Sequence, residues 1–193
     1  MNKLLIIFLF FFLSSVVNSI KENTGNNVCK LSILALAKGS QNSNGECVET
    51  FMGEIPNFNN MVSTIILFPK DNSVIEENQP FLIRTKTIGI RTGFFSNPDT
   101  EYYLFAQTLD AQGLIQGHSH VVIQEIKNED EPLDPKLFAF FKGLDEPNNG
   151  FGELNVLIDK GLTVGKYRIC TMVSSFSHQP CLMPVAQRGE LID

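Results

Sequence analysis

Tryptophan is absent from the 193-residue chain and tyrosine occurs only three times. The flat aromatic platforms on which sugar rings stack are therefore missing, and carbohydrate binding is not expected. Lysine and arginine number 15 against 21 acidic residues, a formal net charge of -6, and nowhere do they cluster. Nucleic acids and anionic lipid surfaces are gripped through such clusters, so neither is an expected partner. No Asn-x-Ser/Thr triplet occurs, which argues against N-glycosylation. Gly117-His118-Ser119-His120-Val121 lacks the second glycine of a serine-hydrolase elbow, and Ser119 falls in a predicted strand instead of on a strand-to-helix turn. Glu125, Glu129, Asp130, Glu131, Asp145 and Glu146 read as solvated loop charges, not as a glycosidase pair. No catalytic signature is present, and the sequence leans toward a non-enzymatic protein.

What the chain does have begins at its N-terminus. Lys3, the apolar run Leu4 to Leu13, and Val17-Asn18-Ser19 read as a signal peptide over residues 1–19, with cleavage before Ile20. The run meets Ser14 and Ser15 before reaching the roughly 20 apolar residues that a membrane span needs, so no membrane association is expected after cleavage. The expected location is extracellular or in the cell wall, with a partner there. All four cysteines, Cys29, Cys47, Cys170 and Cys181, lie beyond the signal. An even number in a chain bound for an oxidising compartment favours two disulfides. Four cysteines permit three pairings; Cys29 with Cys47 and Cys170 with Cys181 close the shortest loops, although connectivity is not fixed by sequence.

Residues 20–60 are rich in Asn, Ser and Gly and read as a lead-in segment with one short helix at Leu31 to Ala37. Residues 61–193 change to short β-branched and aromatic runs between turn formers, an all-β pattern. Strands are predicted at Val62 to Phe68, Phe81 to Ile88, Tyr102 to Thr108, His118 to Ile126, Glu153 to Ile158, Lys166 to Val173 and Leu182 to Ala186. One covering helix is predicted after Asp134 as N-cap, with Pro135 at the first helical position and Gly143 past its end. Leu137, Phe138, Phe140, Phe141 and Leu144 recur at its spacing. About seven strands in one domain predict an immunoglobulin-like antiparallel β-sandwich, with a small barrel as the alternative, and the phenylalanines are expected to fill its core.

The three histidines carry the most specific chemical signal. His118 and His120 alternate on one strand, so both project to one face with Cα atoms about 6.5 to 7 Å apart. Two imidazoles on one strand face plus a third from a neighbouring loop suit zinc or copper, and His178 in Ser177-His178-Gln179-Pro180 is the only third imidazole available. Gln124 is predicted on the same face. The leading reading has the histidines hydrogen-bonded locally at a sheet rim of a structural or interaction protein of the cell surface or extracellular space; a copper- or zinc-binding protein, with metal-dependent catalysis open to it, is the alternative.

Taken as a set, Asn60-Met61-Val62-Ser63, Gln79-Pro80-Phe81, Thr92-Gly93-Phe94-Phe95, Tyr102-Tyr103, Gln107-Thr108-Leu109, Gly117-His118-Ser119-His120, Phe140-Phe141-Lys142-Gly143-Leu144, Tyr167-Arg168-Ile169-Cys170 and Met183-Pro184-Val185-Ala186-Gln187-Arg188-Gly189 resemble a family of small secreted fungal proteins. The resemblance runs roughly from Gly45 to Gly189. It implies an exported single-domain protein and carries over no catalytic residue.

Overall fold

The computed structural model describes residues 28–189. The expected signal peptide lies outside the described residues, as does the start of the lead-in. The chain divides into two compact units, whose described parts are residues 28–38 with 42–49, and residues 39–41 with 50–189.

The first unit is closed by the expected Cys29–Cys47 disulfide, across a sequence separation of 18 residues. The helix expected at Leu31 to Ala37 is not formed. A single 3-10 turn occupies Val28–Lys30, and the backbone beyond it pairs across the crosslinked loop, Ala37 N donating to Cys47 O at 2.9 Å and Cys47 N to Ala35 O at 2.8 Å. Ser32 supplies the physical reason: its hydroxyl accepts from Leu34 N at 3.0 Å, a local bond that competes with a helical turn. Leu31, Ile33, Leu34 and Leu36 also stay exposed, so no packed face rewards a helix.

Among the described residues of the second unit seven strands follow one another: β1 (Ser63–Phe68), β2 (Phe81–Ile88), β3 (Ile90–Arg91), β4 (Ile115–Glu125), β5 (Phe140–Leu144), β6 (Glu153–Ile158) and β7 (Tyr167–Ser175). The expectation of a β-rich chain is borne out. One sheet has the order β1-β2-β6 and is antiparallel throughout. In the other, β4 pairs antiparallel with β5 and β7 and, through Ile90 and Arg91, parallel with β3. Phe81, Ile83, Thr85 and Thr87 of β2 are buried while the residues between them are exposed, the two-residue period of a strand with one dry face. Phe81 and Ile83 join Leu154, Val156 and Ile158 of β6, Val121 and Ile123 of β4 and Leu144 of β5 in one apolar cluster, so the two sheets share a core. A second cluster, Val62, Ile90, Ile115 and Cys181, lies toward the start of β4. Each fully buried isoleucine contributes about 1.5 to 3 kcal/mol of transfer free energy.

Several expectations are corrected. The helix after Asp134 does not form. Asp134 does act as a local acceptor, its Oδ1 taking Lys136 N at 2.9 Å, but the turn ends at Leu137, and Ala139 N already donates to Ile123 O at 2.8 Å. Phe140–Leu144 then runs as β5, because the flank of β4 needs a backbone partner in a way that an isolated two-turn helix cannot supply. Tyr102 to Thr108 is a series of turns with one bridge, Gly53 to Gln107, and Leu182 to Ala186 is irregular. Of the described phenylalanines only Phe81 is buried, whereas Phe51, Phe58, Phe138 and Phe151 are largely exposed; isoleucine, valine and leucine make the core.

The second expected crosslink is absent too, for Cys170 and Cys181 are not joined. Cys170 stands opposite Val122 in the β4–β7 register. Cys181 packs in the second cluster against Val173, three residues along β7 and hence on its other face. The short sequence separation hid this, because side chains on opposite faces of a sheet cannot meet.

Candidate metal centre

Register fixes where the histidines go. On β4 the residues Ser119, Val121 and Ile123 point into the cores and are fully buried, which turns His118, His120, Val122 and Gln124 to the other face. Along that face His118 stands opposite Ser174, and His120 lies between Met172 of β7 and Gly143 of β5. Gly117, where β4 approaches β7, has no room for a Cβ because Ser174 O occupies the space. Gly117 O accepts Phe94 N at 3.2 Å, which brings the Phe94–Ser96 segment over the histidine face.

His178 arrives by a tight turn at the end of β7. Ser175 N donates to Gln179 O at 2.9 Å and His178 N to Ser175 O at 3.1 Å, reversing the chain. The turn is pinned by Ser177, fully buried, whose hydroxyl donates to Phe105 O at 2.7 Å and accepts Phe105 N at 3.2 Å. His178 itself takes φ 73°, the left-handed region, at a cost of about 1 to 3 kcal/mol for a residue with a side chain.

The three imidazoles meet. The ring centroids of His118 lie 4.7 Å from those of His120 and 4.8 Å from those of His178, and one nitrogen of each ring falls within 4.8 Å of the others. Each ring is anchored through one nitrogen to a backbone carbonyl: His118 Nδ1 to Phe94 O at 3.1 Å, His120 Nδ1 to Met172 O at 3.0 Å, and His178 Nε2 to Ser96 O at 2.9 Å. A carbonyl only accepts, so each of these nitrogens carries the proton. In the neutral ring the lone pair then sits on His118 Nε2, His120 Nε2 and His178 Nδ1. His118 Nε2 is buried and makes no hydrogen bond.

Electrostatics keep His118 and His120 unprotonated. Burial, reinforced by the neighbouring His120 and His178, pushes His118 down to about 3 against the hydrogen bond to Phe94. Burial lowers His120 also. The surroundings are aromatic: Phe95 meets His118 and His178 edge-on at 4.6 and 4.9 Å, Phe141 lies 5.4 Å from His120, and Tyr102 lies 5.6 Å from His178. Burial and the bond to Tyr103 push the Tyr102 phenol up to about 12, so it stays neutral. Metal-ligating imidazoles are held in this way, with the second nitrogen of each ring donating to a backbone carbonyl and thereby fixing tautomer and direction. Tetrahedral bonds of about 2.0 to 2.1 Å would draw the three nitrogens to about 3.3 to 3.4 Å apart.

All three histidines singled out in the sequence are brought together, and Gln124 is not with them. Its amide donates to Asp134 O and Leu137 O and its carbonyl accepts from Arg168, which fastens the 126–139 loop to the sheet. Phe95, Tyr102, Phe141 and Gly143 escaped the sequence reading, since their role depends on three separate segments meeting at β4. Cys29, Cys47, Cys170 and Cys181 take no part in the cluster.

The described residues thus form a two-sheet β fold whose longest strand presents a carbonyl-anchored histidine cluster. Residues 64–193, which include all three histidines, match the CLU5d N-terminal domain model, and the chain belongs to that family. It is 45% identical over 157 residues to "Pathogenicity cluster 5 protein d" of Colletotrichum graminicola, a match covering 80% of this chain and 33% of the relative. The chain therefore spans about a third of the length of that fungal relative. No solved structure matches significantly.

Proposed function

We propose that this chain is an exported fungal protein that binds one copper or zinc ion through His118, His120 and His178. The observation carrying the reading is that three imidazoles, each donating from one nitrogen to a backbone carbonyl, bring one nitrogen apiece within 4.8 Å of one another, with His118 Nε2 buried and without a partner. A buried acceptor with no partner costs about 1 to 3 kcal/mol, and His118 Nε2 gains nothing for that cost if the cluster only packs. All-imidazole ligation suits copper and zinc more than magnesium or calcium, which prefer oxygen.

Export to the extracellular space or the wall rests on the Lys3 and Leu4 to Leu13 leader and agrees with a Cys29–Cys47 crosslink, which an oxidising compartment maintains. We read the two sheets on one core as an immunoglobulin-like sandwich. A second reading, a metal-free module that meets a partner at the cell surface, draws on the exposed Leu137, Phe138 and Phe141.

Tag-free protein titrated with Zn(II) and Cu(II) decides between them. The expected outcome is one tightly held ion per chain, lost in His118→Ala and in His178→Ala. Metal-free behaviour of the correctly folded parent would remove the metal reading and leave the surface module.

A further inference from the structure

Three neutral nitrogens leave the charge of an ion intact. The donor group among the described residues contains neither carboxylate nor thiolate, so a divalent ion there keeps its full double charge and attracts an anion to whatever position stays open. With three protein ligands a tetrahedral ion would have one such position.

Where that position opens is decided by the walls. On the β7 side, His120 turns its protonated Nδ1 to Met172 O, so its Nε2 looks the other way, toward β5. There the residue opposite His120 is Gly143. A Cβ placed on Gly143 would lie 4.0 Å from His120 Nε2 and 3.4 Å from the ring of Phe95. The φ of Gly143 is not in the left-handed region and no backbone atom crowds it, so neither conformation nor close chain approach demands a glycine here. What the missing side chain leaves is room, beside His120 Nε2, between Phe95 and the half-exposed Phe141, and Gly143 itself is only partly buried.

We propose that the histidine centre is an open one, with an exchangeable position reached past Gly143 that takes a small anion. This rests on the metal reading above. The anion coordinates without covalent change to the protein, displacing bound water. Phe95 and Phe141 give the opening apolar walls, and the size of residue 143 sets what fits.

The test uses the full chain loaded with Cu(II), or with Co(II) if copper is not held, titrated with azide and followed by the azide-to-metal absorption band. Saturable azide binding is expected in the parent. Filling the opening with Gly143→Val should weaken azide by about tenfold or more while the metal affinity changes by less than about threefold, since the added volume obstructs the anion and not the three nitrogens. Gly143→Ala, whose Cβ makes only ordinary contacts, should weaken azide by a smaller factor and decides the matter if the valine variant folds poorly. A loaded parent with no azide response, or Gly143 variants with unchanged azide affinity, overturns the open position while leaving the metal reading standing. Failure of the parent to hold either ion sinks both.

Discussion

The side chain of Gln107 is fully buried and clamps Leu182, its Oε1 accepting Leu182 N at 2.9 Å while its Nε2 reaches Leu182 O at 3.4 Å and donates to Glu54 O at 2.7 Å. One amide thus ties two irregular segments, around residues 54 and 182, to the segment that leads into β4. Neither segment has a strand ladder of its own. Gln107→Leu keeps the volume but strips the partners from Leu182 N and Glu54 O, and should lower stability by about 2 to 4 kcal/mol. Urea unfolding of parent and variant measures the difference; equal midpoints at equal slope would refute the clamp.

The histidine cluster makes the metal-free protein sensitive to acid. His118 has a folded value of about 3 against 6.5 when unfolded, so between those limits the unfolded chain binds a proton that the folded chain does not. Stability is then fully present above pH 6.5 and declines as pH falls toward 3, at up to about 1.4 kcal/mol per pH unit for each such group. His120 acts in the same direction. Chelator-treated protein should melt progressively lower from pH 7 to pH 4, and His118→Leu should flatten that slope.

Cys181 sits in the second core cluster as a thiol, and burial pushes it up to about 12. Thiolate, not thiol, is the reactive form, so Cys181 should resist alkylation in the native state at pH 8 and react at once in denaturant. Mass spectrometry of the denatured, unreduced chain should find two alkylated cysteines, at 170 and 181. A Cys170–Cys181 crosslink in that spectrum would contradict the arrangement of β7.

The Cys29–Cys47 bridge closes its loop within the first compact unit. Replacing both residues with serine should release loop entropy worth about 3 kcal/mol, felt in that unit. Hydrogen exchange should quicken at the amides of residues 37 and 47, with exchange along β4 and the azide titration unchanged.

Much of this molecule could be read in one dimension. β1, β2, β4, β6 and β7 follow from β-branched alternation, and the placing of His118 and His120 on a common face follows from the two-residue period alone. The Leu137 to Leu144 stretch shows where that reasoning stops. Its apolar spacing fits a helix as well as a turn followed by a strand, and the choice is made by the unpaired flank of β4, which local sequence does not contain. Cys170 and Cys181 stop it again, because eleven positions of separation carry no information about which face of β7 each side chain takes.

By itself the sequence determined the residue types and their local periodicity: a β-rich chain, an excess of acidic residues, three imidazoles and four cysteines whose pairing it left open. Tertiary structure decided which of those groups meet. His178 reaches His118 only because Ser177 pins a left-handed turn against Phe105, and the three rings are anchored only because Phe94 and Ser96 of one segment and Met172 of β7 offer their carbonyls. Such convergence is a property of backbone paths far apart in the chain, whose free energy is set by packing across the sheet and not by the preferences of any one stretch of residues.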